Sequence, residues 1–219
     1  MDFDGVTTWI FDLDNTLYAP EARLFDQIEQ RMIAHVMNAL GVDRDQADGL
    51  RRDYWRRYGT TLAGMMAEHG TEPQAYLADV HAIDFSVLRP DPELAQAIRA
   101  LPGTKIVHTN ADIRYAAQVL AHRGLDMFDT LYGVEETGFH PKPDARAYDF
   151  VWRAQGLDPT RAAMFEDDPR NLEVPHRAGM QTVLVGPGGH LPDGIAGDHG
   201  PHVRHQTRDL TAFLRGLLA

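Results

Sequence analysis

The sequence predicts an α/β fold, a Rossmann-like parallel sheet core with an inserted all-α helical cap domain. Two observations carry this. Short apolar, β-branched runs alternate with helical patterns through the second half of the chain, at the spacing of right-handed βαβ units. Between residues 19 and 88 the periodicity is helical throughout and no strand-like run appears. The expected division is therefore 1–18 and 89–219 for the core and 19–88 for the cap.

The first strand is Thr7-Thr8-Trp9-Ile10-Phe11, β-branched and aromatic residues that suit a packed, pleated backbone. Asp12 and Asp14 follow. Side chains alternate in extended chain, so these two point one way and Leu13 the other. Asn15 and Thr16 are turn formers. Leu24, Ile28, Met32 and Val36 recur at four-residue steps, and Leu40-Gly41 ends that helix with a C-cap glycine. Asp43–Tyr58, Thr61–His69 and Pro73–Val80 read as three more helices, the last with proline in its first turn. An insertion just after the two carboxylates is placed to hang over the active face as a lid, with hinges at Tyr18-Ala19-Pro20 and Arg89-Pro90-Asp91-Pro92.

Beyond the second hinge, helices are expected at Glu93–Leu101, Ala111–Arg123, Asp144–Gln155, Arg170–Ala178 and Arg208–Leu218. Strands are expected at Thr104–Thr109, Thr130–Val134, Ala162–Phe165 and Gln181–Val185, with an edge strand at Val203–Gln206. Residues 186–202, rich in Gly, Pro, His and Asp, read as a surface loop, and the loosely spaced His199, His202 and His205 as surface side chains.

Composition excludes several functions. The net charge is -11, from 32 acidic and 21 basic residues, with no basic stripe, so no nucleic-acid partner is expected. A small phosphate ester needs only a local cation and stays open. There is no cysteine, which rules out disulfides, thiolate metal sites and a cysteine nucleophile. The N-terminus lacks the regions of a signal peptide, and no apolar run reaches membrane-spanning length, so no membrane association and a cytoplasmic location are expected.

The chemistry gathers at strand ends, which share one rim in a parallel sheet. Strand one delivers Asp12 and Asp14, strand two Thr109 and Asn110, and strand four Glu166, Asp167 and Asp168; Lys142 follows strand three between two prolines. Each piece alone has a plain reading: a strand end, a helix N-cap, a solvated lysine, an acidic turn before a helix. Together they form a site for a phosphoryl group. Asp12 can attack phosphorus and carry it as an aspartyl phosphate. Asp14 can protonate the leaving oxygen and later deprotonate water, a role worth roughly 10²–10⁴-fold. Mg2+ suits an all-oxygen site made by Asp12, a backbone carbonyl near Asp14, and Asp167. Lys142, Thr109, Asn110 and nearby N–H groups would bind the phosphate, and positioning and fixed charge would supply most of the catalysis.

With Asp12-x-Asp14-x-Thr16, Thr109, Lys142 and Asp167 in order, the chain resembles the haloacid dehalogenase (HAD) superfamily of phosphohydrolases over nearly its whole length. The resemblance implies Mg2+-dependent phosphate transfer through Asp12 with Asp14 as general acid/base. Four segments further resemble its pyrimidine 5'-nucleotidase branch: Phe11–Tyr18, Tyr58-Gly59-Thr60-Thr61-Leu62, Val80-His81-Ala82-Ile83-Asp84 and Thr109-Asn110-Ala111-Asp112. That branch implies UMP- or CMP-like substrates. Motif four departs from the commoner Asp-Asp-Ser or Gly-Asp-Ser: Glu166 stands at or behind the metal, and Asp168 either orients water or caps a helix.

The cap is expected to choose the substrate. Arg51, Arg52, Arg56, Arg57, Tyr54, Trp55 and Tyr58 form a cationic-aromatic cluster, in which Tyr58 and the following Gly-Thr-Thr turn are the favoured contacts. The alternatives are a phosphatase for another metabolite (sugar phosphate, phosphoglycolate, pyridoxal phosphate) and a non-catalytic binding protein of the same fold. Carbon–halogen cleavage is disfavoured, since it needs neither a proton for a leaving alkoxide nor Mg2+.

Overall fold

β1 (Thr8–Phe11) runs through the middle of a six-stranded parallel sheet, in a computed structural model that describes residues 3–186 and 199–218. Its neighbours are β2 (Thr104–His108) and β4 (Ala162–Glu166). β3 (Thr130–Tyr132) lies outside β2, and β5 (Gln181–Val185) and β6 (His205–Thr207) lie beyond β4, giving the order β3-β2-β1-β4-β5-β6. Every pairing is parallel, so the carboxyl ends of β1, β2 and β4 open on one rim. β4 is buried along its whole length, as a strand covered on both faces must be.

Four helices fill the stretch after β1: α1 (Leu24–Leu40), α2 (Arg44–Tyr58), α3 (Thr61–His69) and α4 (Pro73–Val80). Their ends follow local chemistry. Gly41 closes α1 at φ 66°, and Asp43 opens α2 with a reciprocal capping box to Gln46. Ile33, Val36, Ala47, Tyr54 and Met65 make a cluster of their own within this block. Leu24, Ile28, Leu62, Tyr76, Leu77 and Val80 instead join the cluster that holds Phe11, Leu13 and Leu17, so the block is seated on the sheet's rim by apolar contact. Arg123 clasps both connections to the core, donating to Leu17 O at 3.1 Å, to Arg89 O at 2.5 Å and to Asp91 at 2.8 Å.

The closest packing in the block is at Gly64. A Cβ there would lie 2.3 Å from Cγ of buried Tyr54, whose hydroxyl is paired with His69 at 2.7 Å. Gly64→Ala gains helix propensity of under about 1 kcal/mol but overpacks a full ring. It should destabilise the protein by about 1–3 kcal/mol, read as a lower urea midpoint.

α5 (Pro92–Ala100), α6 (Ile113–Arg123), α7 (Ala145–Gln155), α8 (Glu173–Arg177) and α9 (Leu210–Leu217) complete the layers. Several bounds move by a residue or two, β3 ending at Tyr132 and α9 starting at Leu210, and three shifts have a local cause or consequence. α6 begins two residues late because Asp112 is its cap, accepting from the Tyr115 N–H. The helix expected over 170–178 splits into a 3-10 turn, Pro169–Leu172, and a short α8. Pro169 and the Asp168 cap fix a tight start, and Pro175 is tolerated only because it falls in a first turn. The edge strand lies at His205–Thr207. Of the expected loop, residues 187–198 fall outside the described residues.

Candidate active site

Asp12 stands one residue past β1, and its N–H donates to Phe165 O at 2.9 Å, which fixes the backbone against β4. Its Oδ1 accepts from Lys142 Nζ at 2.7 Å, and the same ammonium donates to Glu166 Oε2 at 2.6 Å. Lys142 and Glu166 are each 1% exposed. Burial opposes the lysine charge, yet Asp12 and Glu166 together hold its pKa above the ordinary value, so the ammonium is charged. The loop bearing it is gripped by Asn110, whose side chain donates to Lys142 O at 3.0 Å and accepts from Lys142 N at 2.7 Å. The Lys142–Pro143 peptide is cis.

Asp14 sits on the cleft wall, with two hydroxyl donors on one oxygen. Tyr18 reaches Oδ1 at 2.7 Å and Tyr115 reaches it at 2.6 Å. Burial first, then the negative charge of Asp12, raises the Asp14 pKa above the usual carboxylate value; the two tyrosines oppose this. A carboxyl whose pKa is raised holds its proton more readily than an ordinary one and suits a general acid. Neither tyrosine was singled out from the sequence. Tyr115 is 101 positions from Asp14, and no local pattern links them.

At the end of β4, Glu166, Asp167 and Asp168 take three different roles. Glu166 Oε1 accepts from the N–H groups of Asp167 and Asp168, each at 3.2 Å, so this residue braces the turn as well as the lysine. Asp168 caps the 3-10 turn and pairs with Arg170 at 2.6 Å. Asp167 faces the cleft, with Asn15 Nδ2 at 3.5 Å from its Oδ2. Asp12, Glu166 and Asp167 bring carboxylate oxygens within 4.8 Å of one another. Burial, followed by repulsion from Asp12, drives the Asp167 pKa well up. Nearby, the buried Oδ1 of Asn171 has no hydrogen-bond partner among the described residues. A buried all-oxygen donor set with excess negative charge fits a hard divalent cation such as Mg2+.

Thr109 follows β2 and is buried, and its Oγ1 accepts from Ala111 N at 3.1 Å. Thr109, Asn110 and Ala111 line the same cleft as Asp12, Asp14 and Asp167. Lys142 is reached through its ion pair with Asp12 rather than from the cleft wall.

The cleft, about 1030 Å³, is roofed by the helical block. Arg51, Arg52, Trp55 and Arg56 line it, with Gly59, Thr60 and Thr61 at one end. Tyr58 does not; its hydroxyl donates to Glu68 at 2.8 Å and accepts from Arg57, away from Asp12 and Asp14. Tyr54 is buried in the block, and Arg57 pairs with Asp53 and Glu68. The sequence expectation that Tyr58 is the favoured contact is thus corrected, because the helical turn points residues 55 and 56 into the cleft and turns 57 and 58 outward. Arg51 is held by Glu29 and Asp48 and Arg52 by Asp48, whereas Arg56 makes no ion pair among the described residues. Arg170 stacks on the Trp55 ring at 3.4 Å and ties α2 to the core.

A family model described as haloacid dehalogenase-like hydrolase matches residues 6–179. The chain is similar to Phosphate metabolism protein 8 of Saccharomyces cerevisiae, 24% identical over 194 residues, covering 80% of this chain and 60% of that longer protein. It is also similar to Validoxylamine A 7'-phosphate phosphatase of Streptomyces hygroscopicus subsp. limoneus, 24% identical over 187 residues, covering 80% of this chain and 83% of that one. Its backbone resembles the solved L-2-haloacid dehalogenase of Xanthobacter autotrophicus with a TM-score of 0.61 at 14% identity, over 98% of this chain and 99% of that one. At such identity the last likeness speaks for the fold alone.

Proposed function

The chain belongs to the haloacid dehalogenase-like hydrolase family, and from that premise we propose a Mg2+-dependent phosphomonoesterase acting through Asp12, with a pyrimidine nucleoside 5'-monophosphate as its substrate. The observation that carries the reading is the buried Asp12–Lys142–Glu166 chain beside a second carboxyl, Asp14, whose pKa burial and the Asp12 charge raise. An Asp12 oxygen attacks phosphorus as the ester P–O bond breaks, and Asp14 gives its proton to the departing oxygen. Asp14 then takes a proton from the water that cleaves the aspartyl phosphate, which restores Asp12 and releases phosphate. Lys142 offsets the negative charge of the nucleophile. The Thr109 hydroxyl and the Asn110 N–H would bind phosphate oxygens, since the Thr109 N–H donates to Tyr132 O and the Ala111 N–H to Thr109 Oγ1. Asp12 and Asp167 would hold Mg2+, which when bound neutralises charge between carboxylate and phosphate.

The proton donor also separates this reading from dehalogenation, where a halide leaves without one. Trp55 offers an aromatic surface for a base, and Arg52 and Arg56 offer cations beside it. A second reading, a phosphorylated sugar-like alcohol, is favoured by the polar roof residues Gln30, Asp45 and Asp48 and by the streptomycete phosphatase relative.

Phosphate release from UMP, CMP, dUMP, AMP, GMP, pyridoxal phosphate, phosphoglycolate and sugar phosphates, with Mg2+ and with chelator, tests both. Preference for UMP and CMP that chelator abolishes is the expected result. A sugar-phosphate profile would retire the nucleotide, and no turnover of any ester would favour a non-catalytic binding protein.

Metal binding has a readout apart from activity. At about 100 times its dissociation constant, Mg2+ should stabilise the fold by about 2.7 kcal/mol, and Asp167→Asn should remove the shift. The sign with pH follows from the raised carboxyls. Asp167 and Glu166 hold protons more tightly folded than unfolded, so they weaken the metal-free fold as pH rises above the ordinary carboxylate range. Protons compete with the cation, so the Mg2+ requirement should increase as pH falls. An urea series with and without Mg2+ at three pH values checks both.

A further inference from the structure

The segments around His81 and Asp112, which the catalytic steps leave unused, meet at the junction between the helical block and the core. His81 is the C-cap of α4, and its Nδ1 lies 2.7 Å from Asp112 Oδ2. Asp112 is also the N-cap of α6, accepting from Tyr115 N at 2.8 Å. The His81 ring stacks on Tyr115 with centroids 4.3 Å apart and an interplanar angle of 18°. The Tyr115 hydroxyl then donates to Asp14 Oδ1, as does that of Tyr18. No donor is placed on Asp14 Oδ2 among the described residues.

Two donors on Oδ1 leave Oδ2 as the oxygen open to give or take a proton. We propose that Tyr18 and Tyr115 are positioning residues that fix Oδ2 of Asp14 as the oxygen carrying the transferred proton. His81 and Asp112 couple that setting to the seating of the helical block. The inference rests on the proposed role of Asp14 as general acid. Two of its four parts belong to the stretch where the chain leaves β1 and to the end of the block (Tyr18, His81), and two to α6 (Asp112, Tyr115). Displacing α4 from the rim removes the stacking partner of Tyr115 and loosens the acid. A substrate that seats the block therefore also sets the proton donor.

The test is the dependence of kcat/KM on leaving-group basicity, across alkyl, phenyl and 4-nitrophenyl phosphates with Mg2+. This ratio reports the step in which the ester oxygen departs. A poor leaving group needs the proton and nitrophenolate barely does. Tyr115→Phe and Tyr18→Phe together should cost about tenfold or more on alkyl phosphates and under about threefold on 4-nitrophenyl phosphate. His81→Ala should steepen the dependence in the same direction, and His81→Asn, which keeps a hydrogen bond to Asp112, should restore part of it. Equal losses on all esters would mean a merely structural role and overturn the proposal. So would a gain in activity, which would mean that the tyrosines hold Asp14 away from the substrate. If the double variant fails to fold, Tyr18→Phe alone carries the comparison. Absence of turnover by the wild type on any ester would overturn the phosphatase reading, and this proposal with it. A wild type that turns over while its variants lose no selectivity would overturn this proposal alone.

Discussion

Asp12→Asn is expected to lower phosphate release by on the order of 10⁴-fold or more while leaving the protein folded. The amide keeps the shape of the carboxylate but lacks the negative charge that makes its oxygen a nucleophile toward phosphorus. Its neighbours are otherwise engaged, since Asp14 is bound by two tyrosines and Asp167 belongs to the carboxylate cluster that suits a cation. Stability should hold or rise. Asp12 repels Asp14, Glu166 and Asp167, so neutralising it relieves all three, while Glu166 still pairs the Lys142 ammonium. Acid-quenched wild type should carry a phosphoryl group detectable by intact mass, and the variant none. Activity that survives the change would show that covalent catalysis through Asp12 is wrong.

Lys142→Met should damage both stability and activity. The ammonium is buried between Asp12 and Glu166, and removing it leaves two carboxylates facing each other in a dry site. Breaking a buried charge set in this way costs about 3–5 kcal/mol, where removing the whole set would cost far less. The methionine fills most of the volume, so the loss is electrostatic rather than a cavity effect. In the wild type the lysine pKa is raised, so its contribution is complete below the ordinary lysine range and is lost only under strongly alkaline conditions. Wild-type stability should therefore show no Lys142-dependent change near neutrality. The variant should instead regain stability as pH falls and its stranded carboxylates take up protons. Urea midpoints of both proteins across the acid range give the comparison; a flat difference between them would count against the charge argument.

Much of the fold was legible in the sequence. The four helices after β1 match their expected spans closely, because glycine C-caps, the Asp43–Gln46 box and the proline at the start of α4 are local signals. Strands β1 to β5 were legible because each holds a short apolar or β-branched run next to turn residues; β6, His205-Gln206-Thr207, is polar and only partly overlaps the span expected for it. The helix expected over 170–178 is divided because Asp168 and Pro169 fix a tight 3-10 start, and no side-chain cap marks the passage to α8 at Leu172. The chemical groups at the strand ends were also legible, since a parallel sheet puts all those ends on one rim.

By itself, then, the sequence determined the order of elements, the residue types at the rim and the oxygen-rich character of the metal-binding candidates. These depend on contacts a few residues apart or on the period-2 and period-3.6 geometry of the backbone. Only the tertiary structure decided which partner each group has. It joined Lys142 to both Asp12 and Glu166, brought the distant Tyr115 hydroxyl beside that of Tyr18 on Asp14, spent the Asn110 side chain on the Lys142 backbone, and turned Trp55 and Arg56, not Tyr58, toward the cleft. Those choices are made by packing between segments 24 to 130 positions apart, whose side chains have no fixed relation until the layers close.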